Sequence, residues 1–394
     1  MSVETVLALT LKAGEEDRLL AGHSWVFSNE LKEVPKAEPG TVAVLNLASG
    51  KPLGVGFYNP NSLIAFRLLT RKPEPIDAAF LKERLAAALA YRRRVAAGEE
   101  SFRLAFGESD GLPGLVVDKF ADFLSVQILS AGMERLESAL IEALREVLNP
   151  KGIYFRNDHP TRSLEGLPLE CRAAFGEVPE TVRIEEGGLK YLVSPGAGQK
   201  TGFYFDQREN RAFLKPYFKD RGVLDLHCYT GAFALNAARA GAAQVFGLDS
   251  SGPAIALAKE NAKLNGLEAE FDEGDAEEVL DAFAGDKQPF KPDFILVDPP
   301  SLVSSRKHLP AGLRAYAKLN TAAFRCLPKG GLLATSTCSH HVSREDFVKT
   351  LRAAAAKAGK SARILALRGQ AADHPVLLAM PETEYLHFAL LEIV

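Results

Sequence analysis

The sequence predicts an α/β protein whose C-terminal half is a doubly wound, mostly parallel sheet, preceded by two smaller modules that contain β-structure. Three observations carry this. From about Val182 onward, strand-length apolar runs alternate with helix-length segments, the texture of parallel strands joined by crossover helices. Upstream, short strand patterns broken by glycines fall on both sides of a proline-punctuated linker, Arg71-Lys72-Pro73-Glu74-Pro75. A chain of 394 residues also exceeds one ordinary core, so two or three domains are expected.

The elements follow in order. Residues 1–72 carry strand patterns at Val6 to Leu11, Thr41 to Leu47, Gly54 to Phe57 and Ile64 to Leu69, which suggests a small β-barrel-like module. Residues 73–181 open with a helix from Asp77 to Ala97. Strands return at Gly114 to Val117, Phe123 to Leu129 and Gly152 to Arg156. Between the last two, Met133 to Leu148 reads as a helix, with Leu136, Leu140 and Leu144 spaced on one face. This is a small α+β module. In residues 182–394 the strands are Gly222 to Leu226, Gln244 to Asp249, Ala269 to Asp272, Phe294 to Val297, Gly331 to Ser336 and Ala362 to Ala366. Helices fit between them, among them Phe233 to Ala240 and Gly252 to Asn265. The last segment, Tyr385 to Ile393, returns antiparallel at the sheet edge.

Composition narrows the class. Hydrophobic residues at 47% and charged residues at 25% match a soluble globular protein. No apolar run reaches the roughly 18–20 residues of a membrane span, and Met1-Ser2-Val3-Glu4 lacks signal-peptide features. A cytoplasmic protein with no membrane partner is expected. A net charge of −3 and a pI near 6.3 exclude a uniformly basic nucleic-acid binder, though not a local patch. Arg67, Arg71, Lys72, Lys82, Arg84 and Arg92-Arg93-Arg94 cluster. Beside Glu83, Glu99 and Glu100 they read as a solvated helix face. The four cysteines, Cys171, Cys228, Cys326 and Cys338, form no Cys-x-x-Cys pair. Neither a disulfide framework nor a zinc site is expected, and Cys338-Ser339-His340-His341 has no zinc-site spacing.

Ligands of a doubly wound sheet bind beyond the carboxyl ends of its strands. There the sequence places Asp225 with the turn Tyr229-Thr230-Gly231, then Asp249, then Asp275, then Asp298-Pro299-Pro300, then Thr337-Cys338-Ser339. Each acid alone reads equally well as a helix cap; at successive strand ends they read together as a ligand site. Asp249 lies 18 residues beyond Gly231, near the spacing at which an acid accepts the hydroxyls of an adenosine ribose. Asp275 can accept from an adenine amine. His227 and Tyr229 stand where glycines would admit a pyrophosphate, which argues against a dinucleotide. S-adenosylmethionine has no phosphate and is compatible with this bulkier loop.

Asp298-Pro299-Pro300 fixes a carbonyl and a carboxylate that can face a planar amine, as in methyltransferases that act on nucleobases. Cys338 adds a second chemistry. Carbon 5 of a pyrimidine is too poor a nucleophile to take a methyl group directly. A thiolate added to carbon 6 makes it enamine-like. Cys326, inside a helix before Gly330-Gly331, fits an ordinary buried thiol. Cys338, among Ser and Thr at a strand exit, does not.

These motifs are long enough to carry a resemblance. The chain resembles the bacterial large-subunit ribosomal RNA 5-methylcytosine methyltransferases of the methyltransferase I type over nearly its whole length. Gly22-His23-Ser24-Trp25-Val26-Phe27-Ser28-Asn29-Glu30 is similar to that family's PUA-domain signature. The middle module carries Gly107-Glu108-Ser109-Asp110-Gly111-Leu112-Pro113-Gly114-Leu115, and the C-terminal half carries Lys200-Thr201-Gly202 and Asp206-Gln207-Arg208-Glu209-Asn210-Arg211. The resemblance implies a PUA-like RNA-binding domain over 1–72, an α+β middle domain over 73–181 and a Rossmann-like catalytic domain over 182–394. It implies S-adenosylmethionine as methyl donor, with Lys200 and Gln207 beside it. It also implies Cys338 as nucleophile, Asp298 as a second catalytic group, Pro299 and Pro300 against the base, and large-subunit (23S) ribosomal RNA as partner. One departure is Ser301 after Asp-Pro-Pro, where RNA cytosine methyltransferases that use two cysteines have the second; the base for the carbon 5 proton is left unassigned. The alternatives are methylation of an exocyclic amine through Asp298-Pro299-Pro300, and a non-catalytic RNA-binding protein. The sequence leaves the oligomeric state open, a homodimer included.

Overall fold

The structure, a computed structural model, describes residues 7–283 and 290–394. Met1 to Glu4 and Val6, the start of the first expected strand, lie outside them. The chain divides into two compact units. One comprises the chain up to Ile184 with Val193–Phe205 and Ala372–Thr383; the other comprises Glu185–Leu192, Asp206–Ala371 and Glu384–Val394. Among the described residues no helix is long and apolar enough to cross a membrane.

The first unit holds two sheets with separate apolar cores. Leu7–Thr10, Trp25–Val26, Thr41–Asn46, Pro52–Tyr58 and Phe66–Thr70 form one of them, around Leu9, Leu45, Tyr58 and Phe66. Gly56 sits where a Cβ would meet the Arg67 carbonyl oxygen at 2.1 Å, so a larger residue would push these paired strands apart. The other sheet is Phe102–Phe106, Leu115–Phe120, Phe123–Ile128, Gly152–Asn157 and Glu170–Gly176. Its first and last strands were not apparent in the sequence. The expected helix over Met133 to Leu148 is two helices, Ala131–Arg135 and Glu137–Leu148. Leu136, at φ −97° and ψ 10°, departs from helical geometry between them, while Leu140 and Leu144 are buried as their spacing requires. Asp77 caps the helix Ala78–Val95 by accepting from the Phe80 N–H at 3.0 Å.

The basic cluster is not a solvated face throughout. Arg92 is fully buried and meets the Asp110 carboxylate through both terminal nitrogens. It also donates to the carbonyls of Arg103 and Asp373, each at 2.9 Å. Arg67 bridges Glu108 at 3.0 Å and Glu165 at 3.1 Å. Charge counting along a sequence cannot distinguish an exposed arginine from one whose acidic partners are distant in the chain.

The second unit contains the doubly wound sheet. Its strands are β1 (Gly222–Leu226), β2 (Gln244–Asp249), β3 (Glu270–Glu273), β4 (Phe294–Val297), β5 (Leu332–Thr337), β6 (Ala362–Arg368) and β7 (His387–Ile393), and its helices are α1 (Arg208–Leu214), α2 (Ala232–Arg239), α3 (Gly252–Asn265), α4 (Ala276–Phe283), α5 (Leu309–Cys326) and α6 (Arg344–Lys357). The strand order is β3-β2-β1-β4-β5-β7-β6. β1 to β5 are parallel, and β7 is antiparallel to both neighbours. β7 is therefore not the edge strand expected from the sequence. Six of its seven residues are buried, and only a place between two strands buries such a run; the half-exposed β6 takes the edge instead. The order reverses between β1 and β4, and a crevice at such a switch point is where this architecture binds ligands.

Candidate active site

Buried parallel strands carry apolar residues on both faces, so polar residues accumulate where those strands end. The loop after β1 bends sharply there. His227 (φ 62°), Tyr229 (φ 51°) and Gly231 (φ 82°) all occupy the left-handed region, which costs non-glycine residues energy and commonly marks a functional loop. A Cβ on Gly231 would lie 3.0 Å from the Phe271 ring. Asp225, at the end of β1, is wholly buried and accepts from the Ala234 N–H at 2.9 Å through one oxygen. Its other oxygen has no partner, and neither do His227 Nδ1 and Thr230 Oγ1. Burial, reinforced by Asp298 and Asp249, holds the Asp225 carboxyl well above the usual carboxylate range. Burial also lowers the His227 pKa, favouring the neutral ring.

Asp249 closes the loop from β2. Its two oxygens accept from the backbone N–H groups of Tyr229 and Ser251, each at 2.9 Å. Each oxygen keeps lone-pair capacity for a hydroxyl. Asp275 caps α4, one oxygen accepting from Glu277 N–H at 2.8 Å and Glu278 N–H at 3.1 Å. The cap reading of Asp225, Asp249 and Asp275 thus holds in part: all three bind backbone N–H groups at the sheet's carboxyl end.

β4 and β5 bring the reactive groups together. The Gln207 amide donates to Asp298 Oδ1 at 3.1 Å, and the Ser336 hydroxyl donates to the same oxygen. Cys338, partly exposed after β5, places its sulfur 4.0 Å from the Pro299 carbonyl oxygen. Pro299 is buried and Pro300 exposed. Ser339 Oγ links Ser301 Oγ at 3.0 Å and the Tyr316 hydroxyl at 2.9 Å, which ties the two loops to α5. The exposed His340 lies against the Tyr385 ring, with centroids 5.2 Å apart.

The two other thiols of the second unit have other surroundings. Cys228 is buried, and burial raises its pKa well above the thiol range. Cys326 donates to the Leu280 carbonyl, and burial pushes it up to about 11. Lys200 belongs to the first unit, at φ 50° in a loop whose Pro195 and Gly198 carbonyls are held by Arg156, with its amine 5.0 Å from the Tyr204 ring centre. No separate signal in the sequence marks Ser336, Tyr316 or Arg368; only the structure links them to the motifs.

Residues 9–71 match the model of the PUA-like domain, and residues 162–358 match that of S-adenosylmethionine-dependent methyltransferases. The chain is similar to proteins named ribosomal RNA large subunit methyltransferase I. That of Serratia proteamaculans (strain 568) is 40% identical over 386 residues, covering 96% of this chain and 97% of the relative. That of Cronobacter sakazakii (strain ATCC BAA-894) is 39% identical over 394 residues, covering 98% of each. A Streptococcus mutans protein described as a SAM-dependent methyltransferase shares the fold, with a TM-score of 0.84, 22% identity, and coverage of 98% of this chain and 100% of that one. A methyltransferase solved in complex with SAH aligns at a TM-score of 0.85 and 21% identity, with the same coverage.

Proposed function

Since this chain belongs to the ribosomal RNA large subunit methyltransferase I family of S-adenosylmethionine-dependent enzymes, we propose that it methylates carbon 5 of a cytosine in large-subunit ribosomal RNA. The observation that carries the choice of atom is Cys338, a partly exposed thiol beside the Pro299 carbonyl of Asp298-Pro299-Pro300. An exocyclic amine needs no such nucleophile.

The loop after β1 fits the methyl donor. Asp225 Oδ1, His227 Nδ1 and Thr230 Oγ1 are buried without partners, and buried polar atoms are normally satisfied. Asp225 would face the cationic part of the cofactor, Asp249 its ribose and Asp275 its adenine, with Tyr229, Thr230 and Gly231 shaping the turn around it and Gln207 beside Asp298. Lys200 we assign to cofactor binding as well, on the family resemblance alone. Bound there, S-adenosylmethionine supplies an electrophilic methyl group.

The chain's own residues do the rest. The Cys338 thiolate adds to carbon 6 of the cytosine, forming a sulfur–carbon bond and making carbon 5 nucleophilic. Pro299 and Pro300 hold the base, and Asp298 faces its amine. Once carbon 5 is methylated, loss of its proton to a base returns the electron pair to the ring and the thiolate leaves. We assign residues 1–72 to RNA binding, 73–181 to a connecting α+β domain and 182–394 to catalysis, in the cytoplasm where the RNA is made.

The product decides between target atoms. Ribosomal RNA from a strain lacking this gene, methylated by the purified enzyme and digested to nucleosides, should yield 5-methylcytidine by mass spectrometry. A methyl group on an exocyclic nitrogen would transfer the chemistry to Asp298-Pro299-Pro300 without a covalent step.

A further inference from the structure

Gln207 reaches Asp298, but what orients Gln207 lies farther out. Arg368 Nε, at the end of β6, donates to Asn210 Oδ1 at 2.9 Å. Asn210 Nδ2 donates to Gln207 Oε1 at 2.7 Å and to the Gly369 carbonyl at 3.1 Å. Gln207 Nε2 donates to Asp298 Oδ1 at 3.1 Å. We propose that Arg368 and Asn210 are positioning residues that fix the donor direction of this amide relay and so hold Asp298 as an ionised acceptor. The proposal rests on the placement of Asp298 in the reaction site.

The argument is one of hydrogen-bond polarity. A guanidinium has only donors, whereas an amide has one donor end and one acceptor end and can be turned either way. Arg368 therefore requires the oxygen of Asn210, and the Gly369 carbonyl requires its nitrogen. The same nitrogen then requires the oxygen of Gln207, which leaves the Gln207 nitrogen for Asp298. An ionised carboxylate is acceptor-only, so the chain runs from cation to anion without a mismatched pair. Asn210 is fully buried and Gln207 nearly so, which leaves little room for water to repair a reversal. Arg368 is itself seated 4.8 Å over the Phe213 ring and 3.6 Å from Glu209. If the relay were reversed, the Gln207 oxygen would face Asp298, and only a protonated acid could bridge two acceptors. Titratable groups near Asp298 include Asp225 at the end of β1 and Cys338 after β5, with Asp249 and Arg211 acting on Asp225.

Asn210→Asp tests this at nearly constant size. The new carboxylate still accepts from Arg368 but cannot donate, so the Gln207 nitrogen turns toward it and the Gln207 oxygen toward Asp298. We expect the acid limb of single-turnover methyl transfer to rise by about one pH unit or more, with most of the rate regained at high pH. Arg368→Met should shift the limb the same way by less, because the Gly369 carbonyl still orients Asn210. Arg368→Lys, which keeps a cationic donor, should restore the wild-type limb. Transfer is followed as total methyl label entering RNA, so the limb is readable even if carbon 5 is not the target; that question is answered by the product nucleoside. Acid limbs that coincide with wild type, with rates lowered equally at every pH, would reduce Asn210 and Arg368 to structural residues and overturn the proposal.

Discussion

The first unit and the loop after β1 both bury charge, and they deal with it differently. In the first unit the buried arginines are matched: Arg92 with Asp110, Arg156 with Asp158, and Arg162 with Glu134. Apart from Ser125 Oγ, the atoms left over there, Arg67 Nε, Arg156 Nε and Asn157 Nδ2, belong to groups bonded through their other atoms. In the loop after β1 the leftover atoms come from three neighbouring residues, Asp225, His227 and Thr230. Matched burial holds a fold together, whereas a group of unmatched polar atoms at a switch point is shaped for a ligand. Removing an acid should therefore cost stability in the first unit and affinity in the loop after β1.

The largest effect should come from the first unit. Asp110→Ala leaves the Arg92 guanidinium buried without its carboxylate, and should lower unfolding free energy by about 3–5 kcal/mol. Urea denaturation measures this, and cofactor affinity at a temperature where the variant is folded should be unchanged. Asp249→Ala should instead weaken S-adenosylmethionine by about 1.5–3 kcal/mol, seen by calorimetry. Equal affinity would remove Asp249 from the site. The smallest effect and the sharpest contrast come from Asp225→Asn. Asp225 has a raised folded-state pKa, so its contribution to stability is greatest below the unfolded carboxylate pKa and falls as pH rises toward the folded value. Asparagine keeps an acceptor for Ala234 N–H and has no such titration. Near pH 7 the ligand-free variant should melt no lower than wild type, yet bind the cofactor more weakly. A variant that is less stable and binds normally would assign Asp225 to the fold alone.

Much of the second unit was legible because its physics is local. β1, β2 and β4 read as short apolar runs ending in an acid, and the structure places all three at the expected residues. Strands whose partners are distant were harder. Glu170–Gly176 has no buried residue and pairs with Gly152–Asn157 across a 3-10 helix, so no alternation marks it. The place of β7 inside the sheet depends on β6 exposing Ile364, Leu365 and Leu367, which hydrophobicity alone reads as core. In the site, the acids and Cys338 were visible as residues at strand ends. The left-handed turns at His227 and Tyr229 and the link from Arg368 to Asp298 were not, since both depend on backbone geometry or contacts between segments more than 150 residues apart (158 from Asn210 to Arg368).

The central claim is that Cys338 forms a covalent bond to the base, and 5-fluorocytidine in the target RNA tests it most directly. With no removable proton at carbon 5, the thiolate cannot leave after methyl transfer. Wild-type enzyme with S-adenosylmethionine should form a protein–RNA adduct that survives denaturing electrophoresis. The adduct should be absent without the cofactor and absent in Cys338→Ala, which should still bind the cofactor. Cys326→Ala should form it normally. Wild-type turnover by Cys338→Ala, or an adduct that persists in it, would contradict the account.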